Sequence, residues 1–367
     1  MPEVKRADYT LLSYFAILLV FGLIMLASAS SAVGHERFAD AYFFIKRQML
    51  LGILPGIFLF FFFSKFPYQK LRQLSLPFFI FSIILLLLIF IPGIGSSFGT
   101  VNRSWLSLFG FSFQPAELVK LALIIYLSAL LVNKGKELLK FKNGFLTILG
   151  IGGIPLVLVA MQPDIGTLAI LFVIIFSLLF IAGAKWSHII SLAGVGIAAF
   201  VILIIIAPYR LARLTTFLHP ELDPQGIGYH INQAFLAIGS GGMFGQGYGH
   251  SLQKFQYLPE VAADSIYAVI AEEMGFIFAI GLIILLYLIA VRGFALAKKT
   301  SDHFGKLLVS GIIIWFTAQS FLNIGAMVGI LPITGVPLPF VSHGGSALAI
   351  AMGAVGILMN VSKQVEL

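Results

Sequence analysis

The chain has 367 residues, of which 59% are apolar and only 10% charged, with a mean hydropathy of +1.03. So little charge cannot clothe the surfaces of soluble domains, and disorder needs the opposite composition, low hydrophobicity with high charge. With no cysteine there are no disulfides, thiolate nucleophiles or Cys-ligated metal centres, and long continuous apolar runs exclude a membrane barrel, whose strands alternate over about ten residues.

The remaining class is an all-α, polytopic integral membrane protein. A helix that crosses a bilayer needs about 20 mainly apolar residues. Ten such spans are expected in one membrane domain covering 1–367, at about 9–31, 44–64, 74–92, 114–133, 143–161, 164–183, 187–207, 264–291, 305–329 and 342–361. In the first, Ala27-Ser28-Ala29 resembles a signal-peptidase site, but the apolar stretch is long for a signal and more spans follow, so this helix is expected to stay. The fifth and sixth are divided at Gln162-Pro163-Asp164, because a proline and a carboxylate sit poorly in lipid-exposed helix.

An even number of spans puts both termini on one side. Of the 23 basic residues, Arg37, Lys46, Arg47, Arg103, Arg210, Arg213 and Lys254 fall outside and Lys120 lies within a span; the rest gather on the terminal side. That asymmetry places both termini in the cytoplasm and accounts for most of the net charge of +8 without nucleic acid.

Two outward segments exceed ordinary turn length, about 93–113 and about 208–263, the latter a large structured extracellular loop between the seventh and eighth spans. The inner loops are short and basic, so chemistry is expected to face outward. Within the second segment, Pro208–Leu218 reads as an amphipathic interfacial helix with Arg210 and Arg213 on one face. These arginines could meet lipid phosphates nonspecifically or hold a pyrophosphate. Residues 239–249 are glycine-dense but lack the strand and helix of a dinucleotide loop; they fit tight turns where backbone nears another helix or a ligand.

Ionisable groups inside or at the ends of spans cost about 3 kcal/mol or more at mid-membrane, so they face protein or water. Glu117 and Lys120, three apart, share a helix face; they form a structural ion pair, or Lys120 meets an anion, and spacing does not decide. Asp264, Ala268 and Glu272 follow one stripe. Asp264 either caps the eighth helix, with a lowered pKa, or is a partly desolvated base. No P-loop, zinc-protease motif or metal-spaced histidine cluster occurs. The last outer connection, with Pro332, Pro337 and Pro339, is apolar enough to be buried against neighbouring helices.

Several motifs, in order, are similar to those of the SEDS family, the FtsW, RodA and SpoVE proteins of bacterial wall synthesis. They are Arg103-Ser104-Trp105, Gln114-Pro115-Ala116-Glu117-Leu118-Val119-Lys120, Gln162-Pro163-Asp164-Ile165-Gly166-Thr167, Gly228-Tyr229-His230, residues 253–260, Asp264, Ala271-Glu272-Glu273-Met274-Gly275 and Thr334 through Ser346, with Ser342 and His343. Ser251 and Gln253-Lys254 bring the chain closer to the division branch, FtsW, than to the elongation branch. It departs from the family at Ala262-Ala263, where many members carry His-Thr, and at His343, where tyrosine is usual.

The resemblance implies a peptidoglycan glycosyltransferase of the bacterial cytoplasmic membrane. It would polymerise lipid II, an undecaprenyl-pyrophosphate disaccharide-peptide, at the outer face, in cell division and cell shape. Asp264 aligns with the family's essential aspartate and is expected to be the general base of an inverting transfer. Arg103, Lys120, Arg210, Arg213 and Lys254 are expected to bind the pyrophosphate. Glu117, Trp105 and Ser342 would support the site, as would Glu272 unless it pairs with Lys120. No cofactor is evident; a divalent cation on the pyrophosphate could share the charge. The expected partners are a class B penicillin-binding protein with one transmembrane helix and other division proteins. A lipid II flippase and a noncatalytic division scaffold are the alternatives.

Overall fold

The computed structural model describes residues 7–96, 104–108, 111–206, 208–223, 225–255 and 257–365. Helices α1 (Tyr9–Ala29), α2 (Ser31–Phe38) and α3 (Phe43–Gln48) lead through a π-helical turn, Met49–Ile53, into α4 (Leu54–Lys65) and then α5 (Tyr68–Leu88). After a small sheet come α6 (Pro115–Lys134), α7 (Leu146–Ala160), α8 (Ile165–Ile181), α9 (Trp186–Ile206), α10 (Pro208–Leu218) and α11 (Ile227–Ser240). The chain closes with α12 (Ile266–Lys299), α13 (His303–Met327) and α14 (Gly345–Ser362). Among the described residues, nine helical stretches are long and apolar enough to cross a membrane, and α8, with 17 residues, is a shorter apolar helix beside them. The protein is therefore an all-α polytopic membrane protein.

Three helices form its centre. In α6, α13 and α14, 78%, 78% and 83% of the most apolar stretch is buried, against 17–33% in the other long helices. The central three carry several polar side chains that lipid would not tolerate, among them Glu117, Lys120, Gln319, Asn323 and Asn360. Around them, α4 packs on α14 through small residues: a Cβ on Gly356 would press on the Phe60 backbone. At the inner end, Asp8 accepts from Leu11 N–H to cap α1, and the Arg292 Nε donates to its other oxygen at 2.8 Å.

Three features depart from the expected layout. The 93–113 segment is not merely loop: strands β1 (Gly95–Ser96), β2 (Trp105–Leu108) and β3 (Phe111–Phe113) pair antiparallel in that order. The third span, expected at 74–92, starts six residues earlier, because Tyr68 and Leu71 are buried and the helix runs through its internal Pro77. The eighth starts at Ile266, leaving Asp264 outside it, and continues to Lys299.

Helix α12 is broken at Gly275, whose φ of 77° and ψ of −178° belong to a region only glycine occupies readily. The glycine-dense loop fills the break. Gln246 and Gly247 donate N–H to the Glu272 and Glu273 carbonyls, while Phe276 N–H donates to Gly242 O. Backbone thus meets backbone where the helical ladder is interrupted, as the glycine density led us to expect.

The last connection, 328–344, folds inward. Phe340 lies against Phe15 of α1 and Phe316 of α13, with ring centroids 5.2 and 5.3 Å away, and a Cβ on Gly22 would collide with its carbonyl oxygen. Non-helical backbone at membrane depth survives only when protein satisfies its polar groups. Here Gln319 Nε2 donates to Pro337 O and Asn323 Nδ2 to Val336 O, while Gln48 Oε1 accepts from Gly344 N–H.

Candidate active site

Asp264 sits in the turn that enters α12. Its side chain is 7% exposed, and its Oδ1 has no hydrogen-bond partner among the described residues. It does not cap the helix: the residue preceding α12 is Ser265, and no side chain caps this N-terminus. Burial, followed by the nearby Glu260 carboxylate, pushes the Asp264 pKa up to about 7; local N–H groups and the Arg213 charge oppose this more weakly. A desolvated carboxylate with that pKa is suited to accept a proton near neutral pH.

The turn itself is held by three successive carbonyls. His343 N–H donates to Ala262 O at 2.7 Å, the Ser342 hydroxyl donates to Ala263 O, and Asn323 Nδ2 donates to Asp264 O at 2.8 Å. Ser342 also accepts from Leu338 N–H, which ties it into the inward-folded connection. Glu260 stands at φ 49°, left-handed for a non-glycine residue, and its carbonyl accepts from Ala263 N–H.

On the outer side, Arg213 of α10 is half-buried and close enough to shift both Asp264 and His230. Burial first, and Arg213 second, hold His230 down at about 4, so its ring is neutral. Ser265 Oγ donates to Pro259 O, so it accepts from His230 Nε2 at 2.6 Å, which fixes the Nε2–H tautomer. Arg210 is largely buried and donates to Leu203 O.

The other expected cations lie elsewhere. Lys120 is sealed in the membrane core, donating to Glu117 at 2.8 Å and Gln319 at 2.7 Å, with its Nζ 5.1 Å from the Trp315 ring centroid. The ion-pair reading of Glu117 and Lys120 is the one adopted. All three donors of the Lys254 ammonium are spent, on Glu273 (2.7 Å), Gly249 O and Ser28 Oγ. Both amines are thus anchors rather than open cations, because buried charges must be paired. Glu272 does not meet Lys120; it accepts from Ser251 Oγ and Leu252 N–H and so fastens the approach to Asp264. Trp105 sits in β2 opposite Ser96, and Arg103 lies outside the described residues.

Sequence reasoning missed Gln319 and Asn323. Their signal was present: two amides four residues apart in an apolar span, on one face of α13. A 400 Å³ apolar cavity between α1, α12 and α13 is lined in part by Phe340, and Asp264 does not line it.

Residues 9–367 match the model of the FtsW, RodA and SpoVE family, described as cell cycle proteins. The chain belongs to this family. It is 39% identical to the stage V sporulation protein E of Bacillus subtilis, covering 97% of both chains. It is 37% identical to a probable peptidoglycan glycosyltransferase FtsW of a Geobacter species, over 100% of this chain and 99% of the other. Among solved structures it is similar to a chain of a peptidoglycan synthase complex that coordinates polymerization and crosslinking. The TM-score there is 0.79, with 26% identity and 97% of each chain covered. Family and helices together make it a multi-pass bacterial membrane protein.

Proposed function

We propose that the protein is a peptidoglycan glycosyltransferase that polymerises lipid II at the outer face of the cytoplasmic membrane, with Asp264 as general base. The observation that carries this reading is the desolvated, unpartnered Asp264 oxygen, held on a three-point backbone clamp beside Arg213. The names of the relatives support the reaction class.

The acceptor's sugar 4-hydroxyl attacks the anomeric carbon of the lipid-linked donor. The carbon–oxygen bond to pyrophosphate breaks as the new glycosidic bond forms, and the hydroxyl proton passes to Asp264. An α donor giving a β product inverts in one displacement, so one carboxylate suffices. A glycosidase needs a second, acidic carboxyl group because its leaving group is poor. Pyrophosphate departs readily once its charge is offset, a task assigned first to Arg213 and then to Arg210. A divalent cation carried on the pyrophosphate is proposed to share that charge. With Asp264 only 7% exposed, its neighbours α10, which carries Arg213, and α11, which carries His230, are the elements proposed to shift to admit the sugar.

The positive charge of the terminal side supports cytoplasmic termini and an outward site. A class B penicillin-binding protein is the proposed partner, in keeping with the similar chain from a synthase complex. Cell division is the proposed setting, given the relatives named FtsW.

Purified protein in detergent, given labelled lipid II, tests the enzyme against its rivals. A flippase has no bilayer to cross there, and a scaffold makes no glycan. Asp264→Asn is expected to fold and to polymerise about 10²–10⁴-fold more slowly; near-normal glycan from this variant removes Asp264 from the role.

A further inference from the structure

We propose that Asn323, backed by Gln319, is a positioning residue for the glycosyl transfer: it fixes where the Asp264 carboxylate points by holding the Asp264 carbonyl against the inward-folded connection. This rests on Asp264 being the base.

Asn323 is 2% exposed, on the central helix α13. Its two amide hydrogens go to different chain segments, one to Asp264 O and one to Val336 O, both at 2.8 Å. It therefore staples the base-bearing turn to the inward-folded connection. Ser342 and His343 of that connection hold the two preceding carbonyls. With three consecutive carbonyls hydrogen-bonded to α13 and the connection, the turn has little rotational freedom left, and the Asp264 side chain is aimed by its backbone. No side-chain bond to its Oδ1 does that job among the described residues.

One turn below, Gln319 repeats the arrangement. Its Nε2 donates to Pro337 O at 2.9 Å, and its Oε1 accepts from Lys120 Nζ and from Trp315 Nε1. Lys120 and Trp315, both donors, leave the amide no choice of orientation: oxygen toward them, nitrogen toward the connection. The buried Glu117–Lys120 pair thus serves the outer site at one remove, by setting an amide that sets a loop. An ion pair that costs desolvation in the membrane core is repaid in geometry rather than in stability.

The groups that face Asp264 are Glu260 on its own turn, Arg213 on α10 and, through Ser265, His230 on α11. From α13 and the connection come the uncharged Asn323 and Ser342, with His343 next along the chain. Asn323→Ala changes none of these charges. It loosens the turn and lets water reach the carboxylate.

Steady-state polymerisation of lipid II by purified full-length protein, per folded molecule by size exclusion, reads the effect. Asn323→Ala is expected to lower kcat roughly 10- to 100-fold with KM within about twofold, and to move the acid limb of the pH profile to lower pH. A purely structural role would reduce the folded fraction and leave that midpoint alone. If kcat and midpoint are unchanged while Asp264→Asn is inactive, the inference falls and the base assignment stands. If Asp264→Asn remains active, both fall. Should Asn323→Ala not accumulate folded, Ser342→Ala, which frees the Ala263 carbonyl and the Leu338 N–H but leaves the Asp264 carbonyl held, must show the same split at smaller amplitude, and its absence overturns the proposal.

Discussion

At Asp264 the same burial that suits it to the proposed role of base also loads the fold with a cost. Its native pKa, about 7, stands above the 3.8 of an exposed aspartate. Between those values the native state binds more protons than the unfolded one, so stability falls as pH rises through the window. Asp264→Asn carries no such charge. It is expected to melt higher than the parent at pH 8, by on the order of a few kcal/mol at most, and to show little advantage at pH 4. Thermal scans in detergent at the two pH values check this. The acid limb of kcat/KM reports the free enzyme's base and should centre near the raised value. Removing a like charge with Glu260→Gln should lower that midpoint, and removing an opposite one with Arg213→Gln should raise it; Arg213→Gln should also raise KM.

Residue by residue, legibility tracked how local each interaction was. The Glu117–Lys120 pair could be framed from a spacing of three, although only the packing of Trp315 and Gln319 decided what it meets. Lys254 was expected to bind the pyrophosphate, since its actual partners, Ser28 and Glu273, are 226 and 19 residues away. No period in the sequence links such positions.

Among the elements, the apolar runs marked the spans well, since about 20 apolar residues have few other fates in a membrane protein. The amphipathic α10 was equally readable from its paired arginines. The sheet of β1–β3 was not, because strands of two to four residues carry too little alternation. The break in α12 was signalled only indirectly, by glycines thirty residues upstream. Gly275→Ala puts a Cβ into a conformation that rejects it and against the backbone of Phe244. It is expected to cost about 1–3 kcal/mol from strain alone and to lower polymerisation. Gly281→Ala in the same helix, where a Cβ meets nothing within 4 Å, should be neutral or slightly stabilising. Melting temperatures of the pair distinguish strain at the break from a general intolerance of α12.

For the whole molecule, α6, α13 and α14 are the most buried of the long helices while the others are largely exposed, an order that the apolar runs did not reveal. The orientation across the bilayer can be tested directly, because the native chain contributes no cysteine of its own. An impermeant maleimide applied to intact spheroplasts is expected to label Glu221→Cys and to miss Lys298→Cys, both exposed positions. Labelling in the reverse pattern would turn the site inward and end the wall-polymer reading.

The two acids at the α12 break have a mechanical consequence. Glu272 and Glu273 bolt residues 249–254 to α12 and α1 through Ser251, Lys254 and Ser28, all in a desolvated setting where a charge cannot be released cheaply. The rear half of the outer loop is therefore a fixed jamb, and under the proposed reaction the part left to swing for an incoming sugar is the front half, which carries α10 and α11. Amide hydrogen exchange should accordingly run faster in α10 and α11 than across 246–265, as a door moves on its frame.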